Sequence, residues 1–354
     1  MINILDRIKV QQEKNLPFVV YRKQLETGIT GIFQDTAALF LSEDLSETGF
    51  VFAPFDSRNP TILIPEAHSE VIREAFVPKV IKSMADDSFE ADDQARQHFE
   101  ALVASGVAAI EEGRFSKVVL SRKEKVVLQE RDYAVVFEKL LQAYPAAFVY
   151  IWYHPEIGLW MGATPEKLVQ SDRGHFTTMA LAGTQKYQDT EEVHWPEKER
   201  QEQLFVTDFI VQELRDYTTE IKLSSPHTLR AGGIVHIKTD ITGTLKAGAT
   251  VKEVVTVLHP TPAVCGLPKE SAKQFILAAE GYDREFYSGF LGELQKNFQT
   301  GQAASDFYVN LRCMQLIGSE ANLYIGCGIT RDSDPEKEFQ ETVNKAMTMK
   351  RVLL

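Results

Sequence analysis

The chain has 354 residues, of which 44% are hydrophobic and 25% charged, a composition typical of a soluble globular protein with a sizeable core. Its formal net charge of −12, without any basic run, argues against nucleic acid as a partner. The cysteines Cys265, Cys313 and Cys327 show no zinc-ligand spacing and favour neither disulfides nor a structural zinc. Because the first residues lack a signal-peptide pattern and no apolar run reaches membrane-spanning length, we expect a cytoplasmic protein without a membrane partner.

The predicted elements begin with short strands at residues 18–21, 49–55 and 61–64, separated by Gly, Pro and Asn turns. A helix over 89–112 and a strand over 117–121 follow. The later patterns predict helices over 132–143, 195–217 and from 335 to the C-terminus, the last capped by Ser333 or Asp334. Further strands are predicted at 147–153, 158–162, 174–182, 234–239, 307–315 and 323–326. Clustered strands with irregularly placed helices indicate an α+β fold.

Two pairs of glutamates at i, i+3 spacing are the most informative feature: Glu199 with Glu202, and Glu338 with Glu341. Residues three apart share a helix face, and in the first helix that face continues into apolar side chains. Because an unpaired buried carboxylate is costly, two such pairs meeting in one pocket would call for a hard cation such as Mg²⁺. Taken alone, either pair fits a solvated helix start better, because acids there favour the helix dipole, and it is the rest of the chain that favours a shared site.

Two further residues are candidates for acid–base chemistry. Lys117 opens a strand with aliphatic residues on both faces, and a lysine that loses its hydration there could act as a base. The spacing alone favours the alternative, in which Lys117 extends its ammonium group to water from the strand end. Glu166 follows a strand end in a tight turn, which either holds a side chain over a pocket or simply begins a helix.

Other positions suit anion binding. Gly183, Gly326 and Gly328 follow apolar strands, where glycine permits close backbone approach to a ligand. Arg312 interrupts an apolar run and needs an anionic partner, and Lys345 shares a helix face with the second glutamate pair. The sequence contains no GxxxxGK[ST], GxSxG or HExxH motif, so the common nucleotide, serine-nucleophile and zinc-protease chemistries lack support.

Together these segments resemble the chorismate-utilising enzymes, which include anthranilate, aminodeoxychorismate, isochorismate and salicylate synthases. The matching stretches follow the family's order at residues 115–122, 162–166, 182–184, 198–202, 259–266, 283–289 and 326–342. The resemblance implies one α+β domain over 1–354, of packed, mainly antiparallel sheets with outer helices and a site in a cleft between the sheets. Residues 1–100 would be its variable part and 101–354 its catalytic part.

The resemblance also implies the reaction. Family members that add ammonia carry Gln where this chain has Lys117, whereas members that add water carry Lys, so we expect an isochorismate synthase acting on chorismate. Ala263 replaces a Thr that salicylate formers tend to carry, and Ala182 replaces a Lys frequent in aminodeoxychorismate-type enzymes. Gln203 is a departure, since many water-adding members have His there. No amidotransferase region is present, and we expect a monomer without such a subunit. The alternatives are a salicylate synthase, an anthranilate-type subunit and a non-catalytic metal-stabilised binding protein.

By this resemblance Lys117 would activate water and Glu166 would protonate the leaving hydroxyl. Mg²⁺ would be held by Glu202 and Glu341, supported by Glu199 and Glu338. The groups expected to hold the substrate are Ala182, Gly183, Thr184, His236, Ala263, Tyr287, Arg312, Gly326, Gly328 and Lys345.

Overall fold

A computed structural model describes residues 3–77, 92–187, 193–231 and 234–353. Within these ranges there are seven α-helices: α1 Ile4–Glu13, α2 Asp93–Glu111, α3 Tyr133–Ala143, α4 Glu197–Leu214, α5 Val251–Leu258, α6 Lys269–Ala279 and α7 Pro335–Leu353. Short 3₁₀ turns lie at Glu66–His68 and Arg215–Tyr217. None of the helices in this part of the chain is long and apolar enough to cross a membrane.

Nineteen strands occur in the same ranges. The first ten are β1 Phe18–Arg22, β2 Gly28–Gln34, β3 Phe40–Ser42, β4 Gly49–Ala53, β5 Thr61–Pro65, β6 Ser69–Ala75, β7 Lys117–Val127, β8 Phe148–His154, β9 Gly158–Thr164 and β10 Lys167–Asp172. The others are β11 His175–Lys186, β12 Thr218–Leu223, β13 His227–Ala231, β14 Ile234–Leu245, β15 Gly266–Leu267, β16 Phe290–Leu294, β17 Ala304–Val309, β18 Cys313–Ile317 and β19 Glu320–Ile329.

The strands form two antiparallel sheets. Sheet one has the order β15-β7-β19-β18-β9-β8-β1-β2-β6. Sheet two has the order β12-β14-β11-β10-β17-β16-β4-β5-β3, and β13 pairs with β14 beside this path. Both sheets therefore contain strands from the first 75 residues and from the rest of the chain. This arrangement confirms the predicted α+β class with mainly antiparallel sheets.

Apolar packing explains the layers. An aromatic cluster packs Phe52 of sheet two against Trp152 and Trp160 of sheet one and against Phe286, in the connection before β16. Its rings are stacked, tilted or edge to face. A second cluster packs α1, α3 and α7 against sheet one, and a third packs α4 and α5 against sheet two. A fourth joins α2 and α6 to β7 and β19. The helices thus cover the sheets from outside.

Most predicted elements are confirmed within a few residues, but the strand predicted at 307–315 is wrong. The chain instead leaves sheet two at the end of β17 and enters sheet one at the start of β18. Arg312, with φ of +47°, lies in the short connection between them. The predicted start of α2 at residues 89–91 lies outside the described residues, and the described helix begins at Asp93.

The cap of α7 is Asp334, one of the two predicted residues. Its Oδ1 accepts a hydrogen bond from the Lys337 amide at 3.0 Å, which satisfies one of the free N–H groups of the first turn. Ser333 has a different role, because its hydroxyl donates to Glu338 at 2.7 Å. The residue before the α7 cap therefore orients Glu338, one member of the second glutamate pair.

Candidate active site

All sixteen residues predicted as catalytic, metal-binding or substrate-binding line one cleft. The volume of the cleft, including the part open to solvent, is about 890 Å³. The walls come from β7, β19, β11 and β14, from the helices α4 and α7, and from the connections around residues 165, 263, 287 and 312. Seven further lining residues were not predicted: Val119, Pro165, Leu181, Lys198, Val264, Leu311 and Cys327. The structure brings the predicted residues together, while their chemical roles stay predictions.

The first glutamate pair projects from the first two turns of α4. Glu202 accepts a hydrogen bond from the ammonium group of Lys117, which starts β7 on the opposite wall. Glu199 accepts a hydrogen bond from the backbone amide of Thr184 at 3.1 Å. The pair therefore holds α4 against β7 and β11 through one ionic and one neutral contact.

The second glutamate pair repeats this pattern on α7. Glu341 forms an ion pair with Lys345 one turn later, at 2.6 Å. Glu338 is buried and accepts the hydroxyl hydrogen bond from Ser333. In each pair one acid is matched to a lysine and the other to an uncharged donor.

The two pairs affect each other electrostatically. Burial, and then the charge of Glu202, raise the pKa of Glu199, and Glu341 on the other helix raises it further. Burial and then Glu341 also raise the pKa of Glu338. Although burial opposes it, the Lys345 ammonium keeps the pKa of Glu341 below its usual value. The cleft thus concentrates negative charge that a cation would relieve.

The donor types fit a hard cation, because four carboxylates and no nitrogen or sulfur group make up the predicted ligand set. Across the described residues, however, no group of three or more His, Cys, Asp or Glu side chains is already arranged to hold a metal ion. In this structure each of the four carboxylates instead accepts a hydrogen bond or forms an ion pair with a group of the chain.

Glu166 lies in the connection between β9 and β10 and is 5% exposed. Its backbone is held from both sides: its amide donates to Thr164 Oγ1 at 3.3 Å, and its carbonyl accepts from the Val309 amide at 3.0 Å. Burial raises the pKa of Glu166 to about 7, against the smaller opposing effects of Arg312 and Lys117. A carboxylic acid with this pKa is still partly protonated at neutral pH and can donate a proton.

Arg312 is half-buried and points a positive charge into the cleft from the connection between the sheets. Its carbonyl accepts a hydrogen bond from the Ala163 amide at 3.0 Å, which fixes the backbone beside the Glu166 turn. Within the described ranges its guanidinium group forms no ion pair, whereas Lys117 and Lys345 each have one. Arg312 is therefore available to bind an anion.

Two glycines of β19 allow close packing at the base of the cleft. A Cβ atom on Gly326 would lie 2.6 Å from the hydroxyl of Tyr287, and a Cβ on Gly328 would lie 3.1 Å from Cε of Lys117. The carbonyl of Gly326 also accepts a hydrogen bond from Lys345 at 3.1 Å. Tyr287 is buried, and burial raises its pKa to about 12, so its hydroxyl keeps its proton.

The wall formed by β11 contains a register shift between Ala182 and Gln185. Gly183 has φ of +73° at this point, and the Thr184 amide consequently faces Glu199 instead of β14. His236 of β14 lies beside the shift, buried, with Nδ1 at 2.9 Å from the Gly183 carbonyl. Burial, and then Arg312 and Lys345, lower the pKa of His236 to about 3, so the ring is neutral.

The remaining predicted positions, Ala263 and Gln203, have uncharged side chains. Ala263 lines the cleft between the ends of α5 and β15. Gln203 is buried behind Glu202, where its amide donates to Thr207 on α4 at 2.9 Å and to Thr239 on β14 at 2.7 Å. Gln203 therefore fixes α4 to sheet two at the position where the resemblance led us to expect a histidine.

Comparison with known proteins agrees with this geometry. The sequence profile of the family described as chorismate binding enzyme matches residues 62–354. The chain is 29% identical over 311 residues to the isochorismate synthase EntC of Escherichia coli, covering 84% of this chain and 78% of that protein. It is 32% identical over 273 residues to the salicylate biosynthesis isochorismate synthase of Pseudomonas aeruginosa, covering 75% and 56%.

The fold is also that of a solved relative. The structure of MenF, the menaquinone-specific isochorismate synthase from Escherichia coli, superposes with a TM-score of 0.77 at 22% identity, covering 96% of this chain and 89% of that one. The profile match extends over most of the chain and includes every residue of the cleft. This chain therefore belongs to the chorismate binding enzyme family.

Proposed function

We propose that this protein is an isochorismate synthase, an isomerase that converts chorismate to isochorismate. The observation that carries the proposal is that Lys117 lines the same cleft as Glu166, and that the pKa of Glu166 is raised to about 7. Water addition needs a base for the water and an acid for the leaving hydroxyl, and Lys117 and Glu166 supply one of each. EntC of Escherichia coli and the relative from Pseudomonas aeruginosa, both named isochorismate synthases, support the same choice.

In the proposed reaction the oxygen of water forms a bond to ring C2 while Lys117, in its neutral amine form, takes the proton of that water. The two ring double bonds shift, and the bond between C4 and its hydroxyl breaks. Glu166 protonates the departing oxygen, so one water enters and one leaves. The raised pKa of Glu166 suits this role, because an acid that ionises near the working pH donates and recovers its proton readily.

Substrate binding is assigned to the cations that line the cleft. Chorismate carries two carboxylates, and Arg312, which forms no ion pair within the described chain, would bind one of them. Lys345, which donates to the Gly326 carbonyl, and the Tyr287 hydroxyl, which lies close to Gly326, would contact the other carboxylate. Ala182, Thr184 and Ala263 would shape the wall against the ring.

Mg²⁺ is the proposed metal, held mainly by Glu202 and Glu341 with Glu199 and Glu338 in support. It would position and polarise the ring carboxylate of the substrate. The electrostatic crowding of the four acids, seen in the raised pKa values of Glu199 and Glu338, supports this assignment.

The proposal includes one catalytic domain over residues 1–354 that acts as a monomer without an amidotransferase subunit. Strands from residues 18–75 pair with later strands in both sheets, which supports treating the first 100 residues as part of that domain. Light scattering of the purified protein with and without a glutamine amidotransferase tests the assembly.

Product identity tests the function. Purified protein incubated with chorismate and Mg²⁺ should form isochorismate in reversible equilibrium with chorismate, as measured by chromatography. Stoichiometric salicylate and pyruvate would instead identify a salicylate synthase, and anthranilate on adding ammonium would contradict the role of Lys117. Thermal stabilisation by Mg²⁺ without any turnover would favour a metal-stabilised binding protein.

A further inference from the structure

A buried ion pair, Glu280 with Arg284, lies against the wall of the cleft formed by β7. Both side chains are only 1% exposed. The guanidinium group forms five hydrogen bonds: two with the Glu280 carboxylate at 2.8 and 2.5 Å, and one each with the Val119 carbonyl at 2.7 Å, the Val264 carbonyl at 3.0 Å and Ser288 Oγ at 3.5 Å. Val119 and Val264 line the cleft, whereas Glu280 and Arg284 do not, so the pair supports the wall from behind.

The pair takes the place of a neighbouring strand at the edge of sheet one. β15 pairs with β7 only at residues 117–118. Further along this edge of β7, the carbonyl of Val119 accepts from Arg284, and the amide of Ser121 donates to Glu280 at 2.7 Å. Because buried backbone groups need partners, these two side chains hold β7 on a fixed path immediately after its first residues.

Arg284 also contacts two other parts of the cleft wall. Its hydrogen bond to the Val264 carbonyl holds the connection that contains Ala263. Its guanidinium carbon lies 5.5 Å from the centre of the Tyr287 ring and 4.5 Å from that of Phe55, within the range of cation–π contacts. One side chain therefore joins β7, the connection at Ala263 and the ring of Tyr287.

Stability alone does not account for such a pair. Removing two charges from water costs free energy that their attraction often fails to recover, and apolar side chains of the same volume are often at least as stabilising. What the pair supplies is geometry. The planar guanidinium group presents its donors in fixed directions, so the carbonyls of Val119 and Val264 are held at a set spacing.

We propose that Arg284, oriented by Glu280, is a positioning residue that fixes Lys117 relative to the connection at Ala263. A base must be oriented closely toward the atom it serves, and a displacement of about 1 Å can cost about 10²-fold in rate. The role of Lys117 as the base rests on the proposed function, whereas the alignment of the two walls does not.

Arg284→Lys tests the alignment while keeping the charge that Glu280 needs. Lysine has three donors where arginine has five, and it cannot bind both carbonyls in the same geometry. We expect kcat to fall by about 10- to 100-fold while the Kd for chorismate changes by less than about threefold, because Arg312 and Lys345 are held by other elements. Calorimetric titration with chorismate measures both the Kd and the fraction of protein able to bind, so kcat can be expressed per competent site.

The chain contains a matched control in Arg22, which is 2% exposed. Its guanidinium group also donates to two backbone carbonyls, those of Leu141 and Tyr144, both at 2.6 Å, but neither residue lines the cleft. Arg22→Lys should therefore lower the free energy of unfolding in urea, as Arg284→Lys does, and leave kcat per competent site within about twofold of the wild type.

Glu280→Asp is the second variant, and it tests the proposal even if Arg284→Lys does not fold. It keeps both charges but shortens the acid by one methylene, so the carboxylate cannot hold Ser121 and Arg284 together as Glu280 does. We expect kcat per competent site to fall here as well, by at least about fivefold, with little change in the Kd for chorismate.

Amide hydrogen exchange separates failure of this proposal from failure of the proposed function. In Arg284→Lys and Glu280→Asp, exchange should be at least about fivefold faster in peptides covering 117–121 and 263–267, whereas Arg22→Lys should leave it unchanged there. Equal losses of kcat per competent site in Arg284→Lys and Arg22→Lys, a Kd weakened as much as kcat, or unchanged exchange would each overturn the proposal. If the wild type forms no isochorismate, the proposed function fails, and the exchange pattern still decides whether Arg284 fixes the two walls.

Discussion

Replacing Glu166 by Gln should stabilise the protein at alkaline pH while abolishing most of its activity. The pKa of Glu166 is about 7 in the fold, against an ordinary value of 4.5. Because the folded-state pKa is the higher one, the fold favours the neutral acid, and stability is lost as pH rises from 4.5 through about 7. The full difference corresponds to about 3 kcal/mol, which Gln, having no charge, does not lose.

Urea unfolding at pH 5 and pH 8.5 measures this effect. Relative to the wild type, Glu166→Gln should gain about 2–3 kcal/mol more in free energy of unfolding at pH 8.5 than at pH 5. Its kcat should fall by about 10²–10⁴-fold, the usual contribution of a general acid. Glu43→Gln, at an exposed position, is the matched control and should alter neither quantity. A stability difference independent of pH would refute the argument that burial raises this pKa.

The other predictions concern the base, the metal and the anion site. Lys117→Ala should lower kcat by about 10²–10⁴-fold with a smaller change in KM. Turnover near that of the wild type would show that Lys117 is not the base. Glu202→Ala and Glu341→Ala should each weaken Mg²⁺ binding measured by calorimetry by at least about tenfold and abolish activity, and full turnover after exhaustive chelation would contradict the metal assignment. Arg312→Gln should raise the Kd for chorismate by about 10- to 100-fold, because a charge-assisted hydrogen bond contributes about 1.5–3 kcal/mol, and an unchanged Kd would exclude Arg312 as the anion site.

Sequence periodicity predicted the helices that carry the glutamate pairs because their apolar and acidic positions repeat along one face. The i, i+3 spacing could place Glu199 beside Glu202, but it could not show that α4 and α7 meet across one cleft. That meeting depends on pairing between distant strands, such as β7 with β19, which are about 200 residues apart in sequence.

The region around Arg312 shows why the strand prediction failed there. Residues 307–315 include six apolar or aromatic side chains, and such an apolar segment does not reveal where a buried chain changes from one sheet to another. Positive φ at a non-glycine residue gives no sequence signal either. Lys198 was missed for a different reason: it precedes Glu199 in a charged helix start that resembles any solvated surface.

The passage of the chain between the sheets also determines where the protein can be cut. Asn310, two residues before Arg312, is held from two sides. Its side-chain amide donates to the Phe286 carbonyl, in the connection before β16, at 2.9 Å, and its side-chain oxygen accepts from the hydroxyl of Tyr150 on β8 at 2.6 Å. New chain ends placed at 310–312 would separate the guanidinium group of Arg312, which we propose binds a substrate carboxylate, from one of these two supports. The exposed turn at Gly301, only a few residues earlier, has no such connection to the cleft. A circular permutant opened at Gly301 should therefore keep its affinity for chorismate, whereas one opened at 311 should lose it.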